Sequence, residues 1–103
     1  MVTKSNGLRQ PFDRTKIVAG VAAAGKGRPL TTDHIHQLAE AVEDELRLET
    51  SEVTSAMVGR AVLERLRVLD EVVYLRFASV YKGFDAASDF QNELMLLEKL
   101  QKA

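Results

Sequence analysis

The chain of 103 residues has no cysteine. That excludes disulfides, zinc–thiolate sites and cysteine nucleophiles, and says nothing about compartment. Long apolar runs are also missing, and none approaches the ~20 residues that a membrane-spanning helix needs. The start is a strand pattern, with no basic-then-apolar leader. The expectation is a cytoplasmic chain without a membrane partner. Catalytic groupings are absent too. No Ser/His/Asp set or carboxylate pair can be singled out, and Glu43-Asp44-Glu45 reads as a solvated helix face. No catalytic residue is expected, and the chain reads as a non-enzyme. His34 and His36 fall on different faces of a helix and have no third ligand nearby, so no metal site is expected. Gly25-Lys26-Gly27-Arg28 lacks the full phosphate-loop pattern and follows a helix instead of a strand. It reads as a helix stop.

What is present suits one domain spanning residues 1–103. At 46% hydrophobic and 28% charged, the chain can bury a core and stay soluble. The net charge of −1 hides a split. Residues 1–28 carry six basic groups (Lys4, Arg9, Arg14, Lys16, Lys26, Arg28) and one acid, Asp13; the remainder is acidic. The basic end is the natural place for an anion. The acidic remainder argues against a large nucleic-acid-binding face.

Asn6-Gly7 is the preferred pair for a two-residue type I′ turn, which would pair Val2-Thr3-Lys4-Ser5 with Leu8-Arg9-Gln10-Pro11. An isolated hairpin is marginal in water, so it must pack on something. The rest reads as helices. The first is capped by Asp13 and stopped near Gly25, and the second is capped by Thr31 or Thr32. Glu49-Thr50-Ser51-Glu52 reads as a loop before a third helix capped by Thr54. Asp70 caps a fourth helix, predicted to reach about Phe84 and to be central because it is apolar nearly all round. A fifth starts at Asp85 or Ser88, with Met95 and Leu96 broadening its apolar face. The fold class is mainly α (α+β), a four-to-five-helix bundle capped by an N-terminal β-hairpin.

Two side-chain groupings stand out. Lys4 from the first strand and Lys16 from the first helix can converge on one pocket, and lysine is a compact charge suited to phosphate. Tyr74 and Tyr81 lie seven residues apart on one helix face. They serve either as core with satisfied hydroxyls or as an aromatic wall beside a base.

Val2-Thr3-Lys4-Ser5-Asn6-Gly7, followed by Pro11-Phe12-Asp13-Arg14-Thr15-Lys16-Ile17, resembles the ATP-cone, the allosteric nucleotide-binding domain of many ribonucleotide reductases. The run Leu69-Asp70-Glu71-Val72-Val73-Tyr74-Leu75-Arg76-Phe77-Ala78-Ser79-Val80-Tyr81-Lys82-Gly83-Phe84, with Gly27-Arg28-Pro29, is similar to the ATP-cone of the bacterial transcriptional repressors of ribonucleotide reductase genes. The resemblance covers essentially the whole chain. It implies a small hairpin or three-stranded sheet over a four-helix bundle, with ATP or dATP, with or without Mg2+, bound beneath the hairpin. It assigns Val2, Lys4, Ser5 and Asn6 to the lid strand and its turn. Gln10 falls on the returning strand, and Lys16 and Ile17 at the helix start. Lys4 and Lys16 would hold phosphates, Val2 and Ile17 would touch the base, and Tyr74 and Tyr81 are further pocket candidates. Ser5 stands where many cones carry arginine, and Gln10 where many carry glutamate. The resemblance further implies homo-oligomers selected by nucleotide, with the dATP-loaded repressor binding operators. DNA is a partner only through a zinc ribbon whose four cysteines have no counterpart here, so no zinc is expected. The alternatives are an ATP-cone regulatory domain of a reductase and a standalone nucleotide-dependent interaction module.

Overall fold

The computed structural model describes residues 1–4, 6–49 and 51–102. Strand β1 (Val2–Thr3) and strand β2 (Arg9–Gln10) lead into helices α1 (Arg14–Ala24) and α2 (Thr32–Arg47). Strand β3 (Val53–Thr54) then runs directly into α3 (Ser55–Leu69), followed by α4 (Glu71–Tyr81) and α5 (Ala87–Lys102). The fold is therefore α+β, a five-helix bundle with a small sheet at its N-terminal end. Among the described residues, no helix is long and apolar enough to cross a membrane.

Four helix starts follow from their caps. Asp13 accepts from Thr15 N, Thr31 from His34 N, Thr54 from Met57 N, and Asp70 from Val72 N and Val73 N. Each bond satisfies backbone donors that the first turn of a helix leaves free. His34 completes a capping box at Thr31, so this exposed imidazole has a local structural task. The start of α5 differs from expectation. Asp89 Oδ2 reaches back to accept from Asp85 N and Ala86 N, so the cap comes from inside the helix.

Helix α4 stops at Tyr81, short of Phe84. Gly83 adopts φ 67, Gly83 N donates to Val80 O, and Phe84 N donates to Ser79 O at 2.8 Å. That pair of bonds is a Schellman ending, which requires a left-handed residue where only glycine is unstrained. α4 packs on α1, α3 and α5, but it is not buried all round. Val73, Tyr74 and Ala78 are covered, whereas Val80 is 84% exposed. The core runs between the helices through Val21, Val42, Val62, Leu66 and Val73, all fully buried. Each such side chain contributes about 1.5–3 kcal/mol by leaving water.

The sheet order is β2-β1-β3. β1 pairs antiparallel with β2 (Val2 opposite Gln10, Thr3 opposite Arg9) and parallel with β3 (Val2 opposite Val53, Thr3 opposite Thr54). The hairpin register is one residue away from that of a two-residue Asn6-Gly7 turn. Of the Asn6-Gly7 pair, Gly7 takes positive φ, at 86°, and Asn6 does not. Lys4 N donates to Leu8 O at 2.7 Å and Gly7 N to Lys4 O at 2.9 Å. These bonds close the hairpin between Lys4 and Leu8, with Gly7 in the left-handed position. A one-residue slip exchanges the faces of a strand, and the observed register turns Val2 into the protein, where it is 6% exposed. Strand β3 is an addition to the sequence reading of the residues.

Candidate functional site

Beneath the sheet lies a cavity of about 180 Å3. Its walls come from β1 and β2 (Val2, Gln10), the entry to α1 (Pro11, Phe12, Asp13), α1 itself (Lys16, Ile17), α3 (Ser55, Val58, Gly59, Val62) and α4 (Phe77, Tyr81). The interior is mostly apolar, and the polar groups Gln10, Asp13, Lys16 and Ser55 come from the strands and the helix starts. Small-molecule sites usually enclose about 300–1,000 Å3. This cavity is below that range, so it fits one flat ring system, with the rest of a larger ligand outside.

Local structure places these side chains. The Asp13 cap fixes the direction of α1, so that Lys16 sits one turn in, at the rim, and Ile17 points inward with 7% exposure. The Asp13 carboxyl is held below its ordinary value by the Thr15 hydroxyl, against an opposing effect of burial, with the Thr15 amide and Lys16 assisting. It is therefore a carboxylate engaged with its own helix. Ser55 Oγ donates to Thr3 O at 3.2 Å and ties the start of α3 to the lid strand. On the outer side of that strand, Thr3 Oγ1 donates to Glu52 Oε1 at 2.6 Å.

The aromatic wall is formed by Phe77 and Tyr81, with ring centroids 6.1 Å apart and planes 19° apart. The Tyr81 hydroxyl donates to Ser55 O at 3.1 Å. Burial pushes this phenol above its ordinary value, with Arg60 opposing, so it is a neutral hydrogen-bonding group at physiological pH. At 41% exposure, one part of the ring is free.

The structure brings together Val2, Gln10, Lys16, Ile17 and Tyr81 from the nine sequence candidates. Lys4 and Asn6 lie exposed on the hairpin beyond the cavity lining. Ser5 lies outside the described residues. Tyr74 is elsewhere: it is 3% exposed and donates to Glu93 Oε2 at 2.6 Å, between α4 and α5. Sequence reasoning missed Phe77, Val58 and Gly59. The signal available for Gly59 was a glycine inside an otherwise regular helical pattern.

A larger groove of about 600 Å3 lies between α2 and α3, lined by residues including Gln37, Glu45, Glu64, Arg65 and Arg67. It holds carboxylates and guanidiniums side by side, with Arg65 donating to Glu45 at 3.0 Å and Arg67 to Glu64 at 3.0 Å. Its charge is thus internally paired. The smaller cavity lies under the basic hairpin, and its lining carries one lysine, Lys16, beside the Asp13 carboxylate that caps its own helix.

The class of protein follows from this arrangement and from comparison with known families. The family model for the ATP cone domain matches residues 1–87, and the chain belongs to the ATP-cone family. More particularly, it is similar to proteins named transcriptional repressor NrdR. The Corynebacterium diphtheriae protein of that name is 45% identical over 104 residues, covering 100% of this chain and 69% of the relative. The Nocardioides sp. protein is 54% identical over 97 residues, covering 93% of this chain and 56% of the relative. The Acidothermus cellulolyticus protein is also 54% identical, with 92% of this chain and 56% of the relative covered. The chain thus spans little more than half the length of two of these three relatives.

Proposed function

We propose that this chain is the adenine-nucleotide-sensing domain of a repressor of the NrdR kind, and that it acts by controlling assembly and not by catalysis. The observation that carries this reading is the cavity under the hairpin, which joins an apolar, aromatic-walled space to a rim with Lys16. A purine ring fits the walls of Val2, Ile17, Phe77 and Tyr81, with Gln10 offering its amide to the base edge. The phosphates then lie along the rim, where Lys16 meets them and Lys4 comes in from the lid. The family match and the NrdR relatives support the same ligand class.

ATP and dATP shift assembly only by the difference in their affinity for the alternative oligomers. A buried contact to the ribose hydroxyl can supply such a difference. The outer face of α5, with Met95 at 67% exposure and Leu96 at 42%, supports a role as the assembling surface. DNA binding belongs, in this reading, to the part of the relatives that this chain does not span.

The test is calorimetric titration of the purified chain with dATP, ATP and GTP, with and without Mg2+. Micromolar or tighter binding of the adenine nucleotides, in preference to GTP, is expected. Absence of heat and of competition at millimolar nucleotide would overturn the reading. Phosphate release with turnover would overturn its non-catalytic part.

A further inference from the structure

We propose that Gly59 is a positioning residue for the nucleobase: its lack of a side chain lets the Tyr81 ring lie against α3 as one wall of the base cavity. The inference rests on the nucleotide-sensing reading above and names a determinant of how the base is held.

Gly59 sits in the middle of α3 and is buried. Glycine is the poorest helix former after proline, so its place there needs a reason. The backbone supplies none, because Gly59 does not have positive φ. The surroundings do. A Cβ built on Gly59 would fall inside the Tyr81 ring, under 3.0 Å from Cζ, Cε1 and Oη. The colliding group is the Tyr81 ring, whose hydroxyl is bonded to Ser55 O, so room for a Cβ is made only by moving that ring and breaking that bond. Ser55 lies one turn before Gly59, so the ring spans that turn of α3. On the opposite helix, a Cβ at Gly20 would stand 3.3 Å from Phe77 Cε2, a tighter approach than most Cβ atoms make. Glycines on α1 and α3 thus leave room for the two stacked rings of α4.

Any side chain at position 59 must lift the Tyr81 ring off α3. The ring then breaks its bond to Ser55 and either enters the cavity or leaves the wall incomplete. The cavity is only about 180 Å3, so a shift of one methyl radius changes what fits. The lysines that face the phosphates stay where they are. The consequence is a loss confined to the base.

The experiment is a calorimetric comparison of ATP and GTP on the whole chain as wild type, Gly59→Ala, Tyr81→Ala and the double variant. Since a base stacked on an aromatic side chain typically contributes enough for a loss of about tenfold or more, Gly59→Ala is expected to weaken ATP by about tenfold. Because every base has a face to stack, any GTP binding should weaken in parallel. In the Tyr81→Ala background, Gly59→Ala should change nothing further, because the ring it displaces is gone. Intrinsic tyrosine emission gives a second readout that needs no ligand. The chain has two tyrosines and no tryptophan, so a Tyr74→Phe background isolates Tyr81. Adding Gly59→Ala there should raise quenching by iodide.

A Gly59→Ala chain that keeps wild-type ATP affinity and wild-type quenching would overturn the proposal. So would an equal loss with and without Tyr81. A wild-type chain that binds no adenine nucleotide would overturn the underlying reading instead, and that is seen before any variant is made.

Discussion

Tyr74 on α4 donates its phenolic proton to Glu93 Oε2 on α5 at 2.6 Å, and Lys82 Nζ donates to the other oxygen of the same carboxylate at 2.8 Å. Glu93 is 5% exposed, so this is a buried charge that its two partners must satisfy. It is also the polar joint between α5 and the helix that walls the cavity. A hydrogen bond to a buried charge typically contributes about 1.5–3 kcal/mol, so Tyr74→Phe should lower unfolding free energy by about that amount. Urea denaturation at neutral pH checks it.

The same phenol predicts an alkaline weakness. Burial raises its pKa above the ordinary 10.0, and the hydrogen bond and charge of Glu93 raise it further. The folded state therefore holds this proton more tightly than the unfolded chain. The stabilisation is complete below about pH 10 and falls as pH rises toward the folded-state value. Above pH 10 the wild type should lose stability more steeply than Tyr74→Phe. Equal slopes in denaturation series across that range would rule this out.

Asp70 carries the opposite dependence. Burial alone would raise its carboxyl, but the Arg28 hydrogen bond and the Val73 and Val72 amides outweigh it, and the net shift is downward from 3.8. Its contribution is present above that value and is lost as pH falls through the lowered folded-state pKa. Asp70→Ala removes the cap of α4 and the Arg28 partner, and should cost about 1–2 kcal/mol. Asp70→Asn keeps a capping oxygen and should cost less. Thermal melts of both variants at pH 7 give the ranking.

Lys4 and Lys16 differ in where they stand before any ligand arrives. Lys16 lines the cavity, and Lys4 is exposed on the lid. Each Lys→Ala change should weaken ATP binding by about 1–3 kcal/mol, the range for lost charge-assisted contacts. Neither should shift the ligand-free melting temperature appreciably. Added salt should weaken the wild type more than either variant.

Replacing Met95 and Leu96 together with Glu should abolish nucleotide-dependent assembly and leave nucleotide affinity intact. Light scattering with and without dATP, beside calorimetry on the same sample, separates the two effects. Assembly that persists unchanged would remove the outer face of α5 from the interface.

Local chemistry was the readable part of this sequence. Asp13, Thr31, Thr54 and Asp70 each cap a helix because a short acceptor at the right offset meets free amides. The hairpin was readable as a hairpin but not in register, since Asn6-Gly7 suits two turn lengths and the inward demand of Val2 decides between them. Strand β3 is two residues whose pairing depends on a strand some fifty positions earlier, and no local pattern announces that. The tyrosines show the limit of periodicity. Tyr74 and Tyr81 share a face of α4, yet they are two turns apart and meet different neighbours, α5 for one and α3 for the other. Glu93 carries no local signal of burial, and only the packing of α5 reveals that Tyr74 and Lys82 enclose it.

The sheet ties distant parts of the chain together. Its central strand is held on one side by residues 9–10 and on the other by residues 53–54. The sheet is complete only when β3, which lies beyond α1 and α2, meets β1, a contact between residues some fifty positions apart that costs more loop-closure entropy than the hairpin does. The cavity beneath it thus depends on elements far apart in sequence coming together. A nucleotide that binds only the finished site draws the whole equilibrium toward it by mass action, and so acts as a folding ligand as well as a signal.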